Sequence, residues 1–285
     1  MPELPEVETV RRGVAARALD RRILSVHVGR ERSVRRTGPG PVVAGLTGAR
    51  IVGANRLGKW LLFPLDNGGE MAVHLRMSGR LLVAAPSVSR PAHTHVVLVL
   101  ADGADDAGSP TELRFVDPRT FGEVVVYDAS ERAAVLPEVA RLGPDPLLHG
   151  VDRMRLGEHL AGTARAVKAV LLDQGVIAGV GNIYADEILH RCRIAPTRPA
   201  RAVSHREVDA LARITVEVLE RAVAAGGSTL ADTQYTGIDG EAGRYQEAHR
   251  VYARTGEPCL TCGKGPVMRS VVAGRSSHWC PHCQT

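Results

Sequence analysis

Apolar residues at Val7, Val10, Val14 and Leu19 recur at helical spacing with charged residues between them, which predicts one amphipathic helix over 7–19. Beyond it the pattern changes. From Ile23 to Tyr127, β-branched and leucine-rich runs at 51–54, 60–65, 71–75, 81–84, 96–100, 112–116 and 123–127 are separated by Gly, Pro and Asp. Short strands with turn signals between them predict a sandwich or barrel-like β domain. The stretch 101–110 is polar and reads as a hairpin tip or loop. Gly143-Pro144-Asp145-Pro146 interrupts the pattern, and helical periodicity follows over 166–173, 183–191 and 207–225. After Gly226-Gly227-Ser228 a polar loop runs to about Gly243, and the last stretch is too short for a core of its own. The pattern divides the chain into 1–142, 143–243 and 244–285, an α+β multidomain protein: an N-terminal helix plus β-sandwich, a helical domain and a cysteine-bearing C-terminal piece.

Composition narrows the partners. The net charge is +5 in 285 residues, carried by arginines; Lys59, Lys168 and Lys264 are the only lysines. This balance suits an anionic partner without requiring one. Aromatics make up 4%, too few for a reader built on stacked aromatic platforms. No run approaches a membrane span, and the N-terminus carries charges where a signal peptide would need an apolar stretch, so a cytoplasmic protein with no membrane partner is expected.

The start, Pro2-Glu3-Leu4-Pro5-Glu6-Val7-Glu8, carries the most chemistry. Removal of Met1 would leave a secondary amine at Pro2. An α-amino group titrates near ~8, so a fraction is free and nucleophilic at neutral pH. Condensed with a sugar aldehyde carbon it gives an iminium, an electron sink, and Glu3 is the adjacent acid/base. The competing reading is a plain helix start, since proline and acids both suit the first turn.

Cys259-x-x-Cys262 and Cys280-x-x-Cys283 fit a tetrahedral four-thiolate zinc site that folds a coreless segment, in preference to two disulfides. His278 and His282 are nearby alternative ligands. Lys264, Arg269 and Arg275 lie between the knuckles, where a hairpin would present cations to phosphates. Cys192 reads as a buried free thiol.

Leu171–Glu187 reads as a helix ending at Gly175, a turn containing Gly179 and Gly181, and a second helix capped by Asn182. A helix start behind a flexible glycine turn is a phosphate seat, and Asn182 and Lys168 supply matching donors. Lys59 follows Gly58 at a strand start, and His74-Leu75-Arg76-Met77-Ser78-Gly79 ends another strand; His74 and Arg76 taken singly fit a solvated or core role equally well. Asp117-Pro118-Arg119-Thr120-Phe121-Gly122 sets an arginine and a phenylalanine beside a turn, either a wedge for a base stack or a core Phe with a surface Arg.

Together and in this order, the PELPEVE start, the helix–two-turn–helix segment and the paired C-x-x-C knuckles resemble the bacterial formamidopyrimidine-DNA glycosylase family over essentially the whole chain. The resemblance implies a bifunctional DNA glycosylase/AP lyase of base excision repair. It would remove oxidised purines, 8-oxoguanine and formamidopyrimidines, from damaged double-stranded DNA and nick at the abasic site by β,δ-elimination. It further implies that Pro2 is the Schiff-base nucleophile, Glu3 the proton donor for sugar ring opening, and Glu6 an organiser of the site. Lys59 would assist at the lesion or its phosphates. His74, Lys168, Asn182 and Arg275 would grip the phosphates flanking the flipped nucleotide, with Arg275 counted in the catalytic set. Met77, Arg119 and Phe121 would fill the vacated space, Arg119 meeting the orphaned cytosine. One structural zinc on the four cysteines and a monomer complete the picture.

The chain departs from the family pattern at Thr120, where a second basic residue is usual, at Trp60 for tyrosine, and at Ala231 in the loop 228–243 that closes over the damaged base. The sister family, endonuclease VIII, typically begins Pro-Glu-Gly-Pro, whereas this chain has Leu4. A catalytically silent DNA-binding protein and an N-terminal-proline tautomerase are the other readings; Pro2, Glu3 and Lys59 are all present, and a tautomerase leaves the finger unexplained.

Overall fold

The computed structural model describes residues 1–101, 109–230 and 235–285. The chain folds as two compact units, Met1–Ala140 with Ala225–Arg244, and Arg141–Ala224 with Tyr245–Thr285.

In the first unit, α1 (Leu4–Ala18) begins with Pro5 in its first turn and a capping box between Glu3 and Glu6. The strands are β1 (Ile23–Val28), β2 (Asn55–Leu57), β3 (Trp60–Pro64), β4 (Gly69–His74), β5 (Arg80–Ala84), β6 (Thr94–Leu100), β7 (Thr111–Val116) and β8 (Glu123–Asp128). They form two antiparallel four-stranded sheets, β1-β6-β7-β5 and β2-β3-β4-β8. One face of each sheet meets in a common core: Val96, Leu98, Leu113 and Phe115 from one, Leu61, Phe63, Met71, Val73 and Val124 from the other. The period-two spacing along β6 and β7 sends these side chains inward. Val7, Val10, Val14 and Ala18 of α1 join the same cluster, so the first helix is bound to the sandwich by burial.

Helix α2 (Pro39–Leu46) lies where the sequence pattern predicts β throughout; its Gly and Pro residues mask the helical period, and only Val42 and Leu46 are buried. The run 51–54 is not a strand either. Ile51 makes a single bridge to Leu65, and pairing begins at Asn55. Lys59 consequently sits in the Gly58-Lys59 turn between β2 and β3, one residue before the strand. The unit's last helix before the boundary is the short α3 (Arg132–Val135).

The second unit contains α4 (Pro146–His149), α5 (Arg153–Ala161), α6 (Val167–Leu171), α7 (Asn182–Cys192), α8 (His205–Ala224) and a hairpin of β9 (Met268–Val272) and β10 (Arg275–Trp279). Asp145 and Asp152 cap α4 and α5 through their side chains. Helix α6 ends at Leu171, four residues before Gly175, because Asp173 turns the chain by accepting the Gly175 amide. The cap of α7 is Gly181; Asn182 is its first helical residue, which frees the amide side chain from capping.

The segment after α8 belongs with the sandwich. Tyr235 and Ile238 are buried in its core, and Gly227 passes Glu6 so closely, at φ +78°, that a Cβ there would lie 2.8 Å from the carboxylate. A linear division into three parts puts this segment with the helices, because its polarity hides the packing it makes.

Candidate active site and nucleic-acid interface

Pro2 is buried, and Glu3 and Glu6 beside it are 2% and 1% exposed. Glu6 Oε2 accepts the Glu3 amide at 2.8 Å, and its Oε1 accepts the Ser228 amide at 2.7 Å. Tyr235 donates to the Gly226 carbonyl at 3.0 Å and buttresses the same corner. The turn bearing Lys59 is fixed to the same helix by a relay. Glu8 on α1 accepts from Arg56 Nε at 3.1 Å, and Arg56 donates to the Gly58 carbonyl at 3.0 Å. Burial alone would raise the Glu8 pKa, but hydrogen bonds from Arg11, Arg12 and Arg56 hold it at about 2. Pro2 is thus buried beside a carboxyl at the start of α1, and the turn bearing Lys59 is braced to the same helix through Arg56 and Glu8.

His74 closes β4, almost wholly buried against Trp60, with the rings edge to face at 4.8 Å. Burial, then the charges of Arg76, Lys59, Arg36 and Arg35, hold its pKa well below the usual imidazole value. The ring is therefore neutral at pH 7. Its Nδ1 accepts the Arg76 amide at 3.0 Å, which leaves the proton on Nε2, the tautomer that donates to an oxyanion. Arg36 stacks over the Trp60 ring at 5.4 Å. Trp60, where the family pattern has tyrosine, thus contacts both His74 and Arg36.

Arg76 points elsewhere. It pairs with Glu123 at 3.0 Å, as do Arg36 at 2.7 Å and Arg35 at 3.2 Å. Glu123 is 1% exposed, a collector of arginines that sequence reading missed; its neighbour across the strand pair, His74, is the signal that points to it.

Met77 and Phe121 are large apolar side chains left 42% and 41% exposed, and the Arg119 guanidinium lies over the Phe121 ring at 5.0 Å. This decides between the two sequence readings of Phe121: it is not a core residue. Thr120 adopts φ +54°, the left-handed region, and donates its amide to the Asp117 carbonyl at 3.2 Å.

In the second unit the glycine turn is held by Gln174, which donates to the Val180 carbonyl at 2.8 Å and accepts the Gly179 amide at 2.9 Å. Asn182 donates from Nδ2 to Ser276 Oγ at 3.4 Å, while its Oδ1 is buried with no partner among the described residues. Arg275 is exposed at the start of β10, next to Ser276. Lys168 sits differently from a surface phosphate ligand. Its ammonium is 0% exposed, 2.7 Å from Asp186 Oδ1, and donates to the Ser276 carbonyl at 2.7 Å and Ser277 Oγ at 2.8 Å. Asp186 also accepts the His278 amide at 2.8 Å, and Glu187 accepts the amides of Arg250, Val251 and Tyr252, each at 3.0 Å. Helix α7 is thus the post to which the cysteine-bearing segment is tied.

The four cysteine sulfurs lie within 4.8 Å of one another, with Cys259–Cys283 at 3.8 Å and Cys262–Cys280 at 3.7 Å. Disulfide bonding is excluded by these separations, since bonded sulfurs lie about 2.05 Å apart. Four thiolates about 2.3 Å from one ion give tetrahedral edges of about 3.8 Å, so the donor set fits a metal. Burial disfavours the Cys259 thiolate, but backbone donors at Cys262 and Thr261 and the His190 ring outweigh it and bring its pKa to about 6. His278 faces Asp186 instead, and neither it nor His282 belongs to the cluster. Cys192 is half-buried where the sequence predicts a buried thiol, and desolvation pushes it up to about 12. Ala231 lies outside the described residues, and no described helix is long and apolar enough to cross a membrane.

Known proteins match this arrangement along its full length. Residues 1–124 fit the family model for the formamidopyrimidine-DNA glycosylase N-terminal domain, and 142–234 that for its H2TH domain. Formamidopyrimidine-DNA glycosylases of Geobacillus kaustophilus and Desulfitobacterium hafniense are 43% and 41% identical, each covering 100% of both chains. The crystal structure of MutM (Fpg) from Thermus thermophilus is 42% identical with a TM-score of 0.86, over 99% of this chain and 98% of that one. A complex of Lactococcus lactis Fpg with abasic-site DNA is 33% identical with a TM-score of 0.88, over 99% of both. The chain belongs to the formamidopyrimidine-DNA glycosylase family of DNA repair proteins.

Proposed function

We propose that the chain is a bifunctional DNA glycosylase and AP lyase acting on oxidised purines in double-stranded DNA. The observation that carries the reading is the sealed corner at the start of α1, where Glu3 and Glu6 flank Pro2 and are both under 3% exposed. Once Met1 is removed, the Pro2 nitrogen attacks C1′ of the damaged nucleotide, the C1′–base bond breaks, and the amine's proton passes to the departing base. The Glu3 carboxyl protonates the ring oxygen, opening the sugar to a C1′ iminium on Pro2. The iminium acidifies C2′; loss of that proton expels the 3′ phosphate. A second proton loss, from C4′, expels the 5′ phosphate, and water then releases Pro2. Low exposure excludes competing water while the intermediate lives.

A base inside a duplex is out of reach, so it must be extruded at a cost of roughly a few kcal/mol. Met77, Phe121 and Arg119 are exposed in the way a wedge requires, with Arg119 placed to meet the orphaned base. Neutral His74, Lys59, Asn182 and Arg275 supply phosphate contacts that offset the cost. For Lys168 the buried pairing favours a supporting role beneath Arg275 over a direct one. The cysteine site takes zinc in this reading, because a closed four-thiolate set suits a borderline-soft ion and leaves no open position for substrate. Its contribution is the folding of the hairpin that carries Arg275. A monomer in the cytoplasm, contacting DNA and no membrane, suffices for this chemistry.

Leu4 and the Met77/Arg119/Phe121 set favour the purine branch over endonuclease VIII. The test separates the two half-reactions. With Glu3→Gln, excision of 8-oxoguanine should be lost while a pre-formed abasic site is still nicked; excision at the wild-type rate contradicts the assigned roles.

A further inference from the structure

The two loops carrying the exposed wedge side chains share one buried anchor. Asp117 is 0% exposed. Its Oδ1 accepts the Ser78 hydroxyl at 2.5 Å and the Arg119 amide at 3.2 Å; its Oδ2 accepts the Gly122 amide at 2.7 Å. Ser78 follows Met77 directly, and its Oγ also accepts the Arg119 amide at 3.2 Å. One carboxylate therefore joins the Met77 loop to both ends of the loop bearing Arg119 and Phe121.

The backbone it holds is under tension. Arg76 has φ +52° and Thr120 φ +54°, and for a β-branched residue the left-handed region is an outlier. The loops also press together: a Cβ on Gly122 would lie 2.9 Å from the His74 carbonyl and 2.8 Å from the Phe115 ring. From outside, Arg32 donates to the Thr120 carbonyl at 3.2 Å, and Arg35 to those of Gly122 at 3.3 Å and Phe121 at 3.4 Å. Such a loop keeps its shape only while its neighbours over-determine it. Charge-assisted hydrogen bonds to a buried carboxylate are the strongest of those restraints.

We infer that Asp117, through Ser78, is the positioning residue that presets the spacing of Met77 and Phe121, so that entering a base stack requires no further ordering of either loop. This rests on the wedge reading proposed above. Asp117 touches neither substrate nor reacting atoms; it acts through the loops. Asp117→Asn keeps the shape but turns one acceptor into a donor, which the rotatable Ser78 hydroxyl can meet and the Gly122 and Arg119 amides cannot both tolerate. Ser78→Ala removes only the bridge between loops.

The experiment uses the full chain with Met1 removed. Stopped-flow fluorescence of 2-aminopurine beside 8-oxoguanine reads extrusion, and single-turnover assays read excision from the paired duplex and nicking of a pre-formed abasic site. For Asp117→Asn, extrusion and excision should slow about tenfold or more, with abasic nicking within about threefold, as expected when only the positioning of a step before chemistry is disturbed. Ser78→Ala should show the same split to a smaller degree, and it decides the matter if Asp117→Asn does not fold. Equal losses on both substrates, or no loss on either, overturn the inference. Met77→Ala/Phe121→Ala separates the two levels: if it leaves extrusion unchanged, the wedge reading itself fails. If it slows extrusion while Asp117→Asn and Ser78→Ala do not, the inference about Asp117 fails alone.

Discussion

Glu6 and Ser228 are 222 residues apart and joined by a 2.7 Å hydrogen bond from the Ser228 amide to Glu6 Oε1, while the other carboxylate oxygen takes the Glu3 amide. One side chain thus sets the first turn of α1 and the root of the segment that follows the long helix. Glu6→Gln can satisfy only one of the two amides. We expect a loss of about 1–3 kcal/mol, the usual cost of a buried donor left unmet, read as a lower urea midpoint. Lesion excision should fall with it. An unchanged midpoint contradicts the shared-carboxylate assignment.

His74 gives a pH signature. Burial and the nearby cations depress its pKa in the folded state, so the unfolded chain takes up the proton first. The stability contributed by neutral His74 is complete above about pH 6.5 and is lost progressively as pH falls below it. His249, also depressed by burial, acts in the same direction, so the test is a difference. The fall in unfolding midpoint from pH 7 to pH 5 should be shallower in His74→Gln than in wild type. Identical slopes would mean that His74 does not titrate differently on folding.

Lys168 distinguishes an internal cation from a phosphate ligand. Lys168→Met leaves Asp186 buried without its ion pair, which should cost about 3–5 kcal/mol. A direct phosphate contact would in addition contribute about 0.9 to the slope of log affinity against log salt. We expect the stability loss with the slope unchanged when measured at a temperature where the variant is folded. A slope reduced by about one, with full stability, would return Lys168 to the DNA surface.

The cysteine site should bind one metal ion per chain, with Cys280→Ser losing the ion and DNA affinity together. Asn182, Asp186, Glu187 and His190 of α7 all contact the segment that carries the cysteines, so loss of the ion should disturb Arg275 and Asn182 jointly. Retained tight DNA binding by the metal-free variant would count against the hairpin as a phosphate clamp.

What the sequence revealed, and what it hid, follows from the range of the interactions. Strands β3 to β8 were legible because β-branched and leucine-rich runs bounded by turn residues are local signals, and the four cysteines because metal geometry dictates their spacing. Helix α2 was not, since its Gly and Pro residues mask the helical period and its two buried side chains make tertiary contacts. Asn182 reads as a cap by residue type, whereas Gly181 supplies that conformation. Lys168 reads as a surface cation because its partner Asp186 lies on another helix. Asp117 and Glu123 escape notice because a buried carboxylate is recognisable only from the donors that surround it.

The most direct test of the central claim is borohydride trapping of the Met1-processed protein on duplexes carrying 8-oxoguanine opposite cytosine or 5-hydroxycytosine opposite guanine. We expect a covalent adduct mapped to Pro2 that forms preferentially with 8-oxoguanine. Preference for the oxidised pyrimidine would move the chain to the endonuclease VIII branch, and tight binding without any adduct would contradict the lyase chemistry altogether.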